Sequence, residues 1–111
     1  MSERKQELLA ALERVYRRSG WKVTAAEDGT LRATGPGGVT WIGLAVVAED
    51  LADATFPARL LALADSWMPG GRELCPLDVL PDAPCADELR RLLADLRLAD
   101  RGHVEVYSAA A

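Results

Sequence analysis

Leu8, Leu12 and Val15 recur at i, i+4 and i+7, and Ala11 and Tyr16 widen the stripe. Arg4, Lys5, Glu13, Arg14, Arg17 and Arg18 take the opposite side, so residues 4–18 are predicted to form an amphipathic helix. Ser19-Gly20 stops it, glycine supplying the left-handed residue that helix ends favour. The pattern then changes to a period of two. Trp21, Val23 and Ala25 alternate with Lys22 and Thr24, and Leu31 and Ala33 alternate with Arg32 and Thr34. Asp28-Gly29 between these strands is a hairpin signal. Gly35-Pro36-Gly37-Gly38 is a second turn. The run Val39 to Val47 is apolar almost throughout, which predicts a strand covered on both faces at the centre of a sheet.

The second half returns to helical spacing. Glu49 to Phe56 reads as a linker, and residues 57–68 read as a helix burying Leu60, Ala64 and Trp67. Pro69-Gly70-Gly71 ends it. Residues 73–80 read as a fourth strand with Cys75, Leu77 and Val79 on one face, and Pro76 suggests an edge or short strand. A third helix is expected from Asp82–Pro84 to Ala99, with Leu89, Leu92, Leu93 and Leu96 as its stripe and Gly102 as its stop. His103 to Tyr107 alternates as a last strand, and Ser108 to Ala111 reads as a frayed tail. The expected fold is a single α/β (α+β) domain over residues 1–111, in the order α-β-β-β-α-β-α-β, with helices packed on a mixed sheet.

Composition narrows the function classes. The 111 residues carry 13 Lys plus Arg and 17 Asp plus Glu, a net charge of -4. That balance disfavours sequence-independent nucleic-acid binding, which phosphate neutralisation drives. Eleven of the 13 basic residues are Arg and Asn is absent, a usage that fits a GC-rich bacterial genome. No apolar run approaches the ~20 residues of a membrane helix. The charged start, Met1 to Glu7, has no signal-peptide core, so a cytoplasmic location and reduced thiols at Cys75 and Cys85 are expected.

Candidate chemistry is sparse. Cys75, Cys85 and His103 lack the tight spacing of a zinc site. Glu49, Asp50 and Asp53 form one acidic cluster; Asp78, Asp82, Asp87 and Glu88 form another around a helix start, where Asp82, Asp87 and Glu88 read as caps and first-turn acids. His103 is the only base available to a serine or cysteine nucleophile, and no Ser lies in a GxSxG turn. The Gly35–Gly38 turn leads into a strand rather than a helix, so it reads as a hairpin connection and not a phosphate cradle. Trp21, Trp41 and Trp67 read as core or, where exposed, as interface residues. No catalytic residue, cofactor site or metal site is expected.

In layout, the helix ending in Ser-Gly and the strands through Val47 resemble the restriction-endonuclease-like nuclease superfamily, in particular its resolvase-like and Mrr-like members. The superfamily places an Asp on the second strand, and an acidic residue, one spacer and a Lys on the third. Here those positions fall on Thr30, Gly43 and Ala45, and the nearest acid, Asp28, lies in the turn. The resemblance therefore implies a degenerate, non-cleaving member.

Three readings follow. The first is a non-catalytic domain that binds a protein partner or pairs with itself as a homodimer through an edge strand at His103, Glu105 and Tyr107. The second is a nucleic-acid-binding domain that has lost nuclease activity, using Arg4, Lys5, Arg14, Arg17 and Arg18. The third resembles secretion-chaperone-like domains, which begin with a helix and three strands but usually finish with a helix. Pure protein supplied with magnesium or manganese is expected to leave DNA intact. Cleavage that disappears in Asp28→Ala would contradict this.

Overall fold

The apolar run becomes β3 (Thr40–Val46), the middle strand of a five-stranded sheet. The computed structural model describes residues 2–26 and 29–108. β1 (Lys22–Ala25) and β2 (Thr30–Thr34) form an antiparallel meander leading into β3. β4 (Leu77–Pro81) and β5 (Val104–Val106) then add in parallel, giving the spatial order β1-β2-β3-β4-β5. Parallel neighbours need crossover connections. These are supplied by α2 (Ala48–Ala52) and α3 (Phe56–Ala64), and then by α4 (Ala86–Asp95). α1 (Glu3–Arg18) precedes the sheet. The result is an α+β domain with a mixed sheet and helices packed on it, the class expected from the sequence.

The period of two sorts the core into two layers. Ile42, Leu44, Val46, Leu77 and Val79 face Phe56, Leu60, Leu89 and Leu93 of α3 and α4, with Val104 and Val106 packed beside them. Leu31, Ala33, Ala45 and Leu80 face Leu8, Leu12 and Tyr16 of α1 on the other side. The Ser2 hydroxyl caps α1 by accepting from the Lys5 N–H. Trp21 and Trp41 meet at the margin of this layer, ring centroids 5.6 Å apart and tilted by 59°.

Several expectations are corrected. The supposed linker contains α2, whose Asp50 carboxylate accepts from the Val47 N–H; five residues are too few for a periodic signal. α3 ends at Ala64 rather than residue 68. Beyond it the chain forms a hairpin in which Met68 donates to Glu73 and Cys75 donates to Ser66. Trp67 pairs with Leu74 there and is 59% exposed instead of packed in the core. β4 is an interior strand with all five residues buried, since Pro76 lies just before it and serves through its carbonyl, accepting from Ile42. α4 stops at Asp95 because Arg97 takes the left-handed conformation (φ 58°). Leu98 then donates to Leu93 and Arg97 to Ala94, and Leu98 is fully buried. That is a Schellman ending in which burial of Leu98 offsets the strain at a non-glycine residue. Asp28 of the expected hairpin turn and residues 109–111 of the expected tail lie outside the described residues; Ser108 is exposed.

Leu44 is completely buried between β4 and the α3–α4 layer. Leu44→Asp is expected to cost several kcal/mol by burying an unpaired charge, much of the ~5–15 kcal/mol available to a domain. A thermal or denaturant melt checks this; an unchanged midpoint would contradict the central placement of β3.

Candidate functional site

Alternation along β4 turns Leu77 and Val79 to the α3–α4 layer and leaves Asp78 on the α1 side. Asp78 is 1% exposed. Its register neighbours are Gly43 on β3 and Glu105 on β5. Gly43 leaves the space that Tyr16 of α1 uses: a Cβ there would stand 3.0 Å from both Cε2 and the hydroxyl of Tyr16. The Tyr16 hydroxyl donates to Asp78 Oδ2 at 2.6 Å, while Oδ1 has no hydrogen-bond partner among the described residues. Burial raises the Asp78 carboxyl above the usual carboxylate range, and hydroxyl donation from Tyr16 and the nearness of Tyr107 pull it back. Tyr107 is itself pushed up to about 12, by burial first and then by the Asp78 charge. One buried carboxyl and two phenols thus form a polar group that ties α1 to β4 and to the residue after β5.

β5 forms one edge of the sheet. Leu77 donates to the His103 carbonyl, and Tyr107 donates to the Val79 carbonyl. The backbone of residues 103 and 107 therefore points toward β4. By alternation the N–H and C=O groups of Val104 and Val106 point outward. The three residues singled out at this edge differ in setting. His103 is half-buried, and its Nε2 lies 2.7 Å from the Ala64 carbonyl, so the ring donates to the C-terminus of α3. Tyr107 is half-buried on the α1 side, packed with the α1 layer. Glu105 alone is exposed. Above this edge, Ala11, Val15, Leu80 and Tyr107 line a groove between α1 and β5, with Arg14 and Arg18 on its rim. Val15 is 51% exposed although it belongs to the apolar stripe of α1. Neither arginine makes an ion pair among the described residues, and neither does Glu105.

The other basic residues of α1 are engaged. Arg4 binds Glu7 and Asp82, Lys5 binds Asp50 at 2.8 Å in a largely buried pair, and Arg17 binds Glu13. Asp53 accepts from the backbone and hydroxyl of Thr55. Of the acidic clusters, Asp50, Asp53 and Asp82 serve as caps or ion-pair partners just after β3 and β4. Cys75 and Cys85 are free, buried thiols, each raised in pKa by burial. Among the described residues no group of three His, Cys, Asp or Glu side chains is arranged to hold a metal. Thr30 and Ala45 are fully buried, and Gly43 lies under the Tyr16 ring.

No family model matches the chain, and no curated protein or solved structure matches it. Sequence reasoning found the β5 edge but missed the Tyr16–Asp78 pair, whose members lie 62 positions apart. The available signal was the lone acid within Leu77-Asp78-Val79-Leu80, an apolar strand otherwise buried on both sides.

The raised Asp78 carboxyl gives a signed pH dependence. A carboxyl raised in the folded state favours folding at low pH, and that contribution is lost as pH climbs from the unfolded value through the folded one. Asp78→Asn does not titrate there. Its stability relative to wild type is therefore expected to be greater at pH 8 than at pH 4, as read from paired denaturant midpoints. Equal differences at both pH values would mean that Asp78 ionises normally in the fold.

Proposed function

We propose that the protein is a non-catalytic binding domain that takes up an extended polypeptide strand along its β5 edge. The observation that carries this reading is the outward backbone of Val104 and Val106 beside an apolar groove rimmed by two arginines that have no ion-pair partner among the described residues. Strand addition of this kind draws affinity from main-chain hydrogen bonds and specificity from pockets for alternate side chains. Val104, Glu105 and Val106 offer three residues of ladder, and the groove receives side chains on the α1 side. Arg14 and Arg18 favour an acidic residue in the incoming strand.

The nucleic-acid reading has less support, because three of the five basic residues of α1 are held by carboxylates. A degenerate nuclease-like ancestry is compatible with either reading and adds nothing to the choice. The probe is a synthetic hexapeptide copying residues 103–108, His-Val-Glu-Val-Tyr-Ser. In excess over isotope-labelled protein it is expected to shift the amides of Val104, Val106 and the last two turns of α1. Val106→Pro removes an outward donor without removing a bond to β4, and it is expected to abolish the shifts. Shifts scattered elsewhere, or none, would overturn the reading. So would salt-dependent binding of duplex DNA that is lost in Arg14→Glu.

A further inference from the structure

We propose that the strand seated on the β5 edge is β5 of a second copy of this chain, running antiparallel and centred on Val106, with each Glu105 held by Arg14 and Arg18 of the other copy. This rests on the strand-binding reading above and names its occupant.

The argument begins with hydrogen-bond parity. In an antiparallel pair, residues that exchange both backbone bonds must both present their N–H and C=O outward. On this edge those residues are Val104 and Val106, and the same alternation extends to residue 108. A two-fold axis perpendicular to the sheet can therefore centre on Val104, Glu105 or Val106. Charge separates the three. Centring on Glu105 sets the two Glu105 carboxylates directly opposite each other, which destabilises a ladder. Centring on Val104 sets Glu105 opposite His103, whose ring is already committed to the Ala64 carbonyl. It also carries Glu105 away from the groove. Centring on Val106 sets Glu105 opposite the partner's Tyr107 in a non-hydrogen-bonded pair, where side chains approach most closely, about 4.5–5.5 Å between Cβ atoms.

Tyr107 lines the groove that Arg14 and Arg18 rim. Glu105 lies on the α1 side of the sheet, the side of that groove, since it is in register with Asp78. One exposed carboxylate and two exposed guanidinium groups, none in an ion pair among the described residues, thus meet across the axis. The two-fold repeats the contact on the other side. The exposed Val15 sits at the same rim and gains cover from the incoming strand. A strand from an unrelated protein would satisfy the backbone equally well. β5 of a second copy carries an acid without an ion-pair partner among the described residues, Glu105, at the required register.

Sedimentation equilibrium tests the proposal. The wild type is expected at twice the 12.0 kDa chain mass. Glu105→Arg is expected to weaken self-association by about tenfold or more, because two symmetric attractions become repulsions. Adding Arg14→Glu and Arg18→Glu to that variant is expected to restore the dimer, since opposite charges face each other again. All three positions are exposed, so the circular dichroism spectrum is expected to stay that of the wild type, which separates a lost contact from a lost fold. A dimer indifferent to Glu105→Arg, or one that the triple variant does not restore, would overturn the register. A wild type that stays monomeric at high concentration yet binds the 103–108 peptide would overturn the second copy as occupant and leave the strand-binding reading standing. A monomer that ignores the peptide would overturn both.

Discussion

Covering both faces of the parallel pair β3–β4 is the constraint from which the remaining architecture follows. Twelve residues, Thr40–Val46 and Leu77–Pro81, hold the centre of the sheet, and ten of them are buried. Such a pair needs a helical layer on each side. The crossovers α3 and α4 supply one layer as a consequence of parallel pairing, and α1 must supply the other alone. Five strands at about 4.8 Å spacing span roughly 19 Å, whereas one helix with its side chains is about 10–12 Å across. A single helix cannot roof the whole sheet. α1 lies over the β1–β4 side, Trp21 and Trp41 close one margin, and the β5 margin is left with a groove. The candidate binding edge is thus a product of unequal helix layers on the two faces.

The buried carboxylate belongs to the same asymmetry. Asp78 sits between β3 and the β5 edge, fully covered by the α1 layer. The chain brings a phenol over from α1. Gly43 omits a side chain so that Tyr16 can cross β3 and reach Asp78. Tyr107 closes from the β5 side. One carboxylate oxygen still has no hydrogen-bond partner among the described residues, and a buried group in that condition costs about 1–3 kcal/mol. Tyr16, Gly43 and Asp78 therefore act as one unit joining the first helix to the two central strands, and Tyr107 links that unit to the edge.

Local pattern revealed the elements whose signals are periodic and long. The stripe of Leu8, Leu12 and Tyr16 and the run into Val47 are such cases, and both were legible. The failures share a physical cause: tertiary packing decided the outcome at single residues. Arg97 adopts a glycine conformation because Leu98 gains a buried site, so a helix expected to reach Ala99 ends at Asp95. Trp67 looked like a helix-face residue, yet α3 ended three residues earlier and the tryptophan went to an exposed hairpin. Pro76 looked like a mark of an edge strand, yet it lies one residue outside β4 and serves through its carbonyl. The Tyr16–Asp78 pair lies beyond any local reading, because α1 and β4 meet only after the whole sheet has formed.

The two edges of the sheet are not equivalent, and the difference bears on which one can accept a strand. β1 carries Lys22 and Thr24, both exposed, and lysine on an edge strand is a common guard against pairing. Its Ala25 is exposed as well, so an added strand would find little apolar surface beside it. β5 has the opposite character. Val104 and Val106 pack into the α3–α4 layer, Tyr107 packs into the α1 layer, and only Glu105 carries charge on the strand itself. A single acid would repel an incoming acid, but two arginines without an ion-pair partner among the described residues stand above it across the groove. The local field therefore favours a strand bearing one negative charge over one bearing none or a positive one. The proposed strand binding thus suits the β5 edge, with valines on one face and Glu105 and Tyr107 on the other beneath two arginines, better than the charged and little-covered β1 edge.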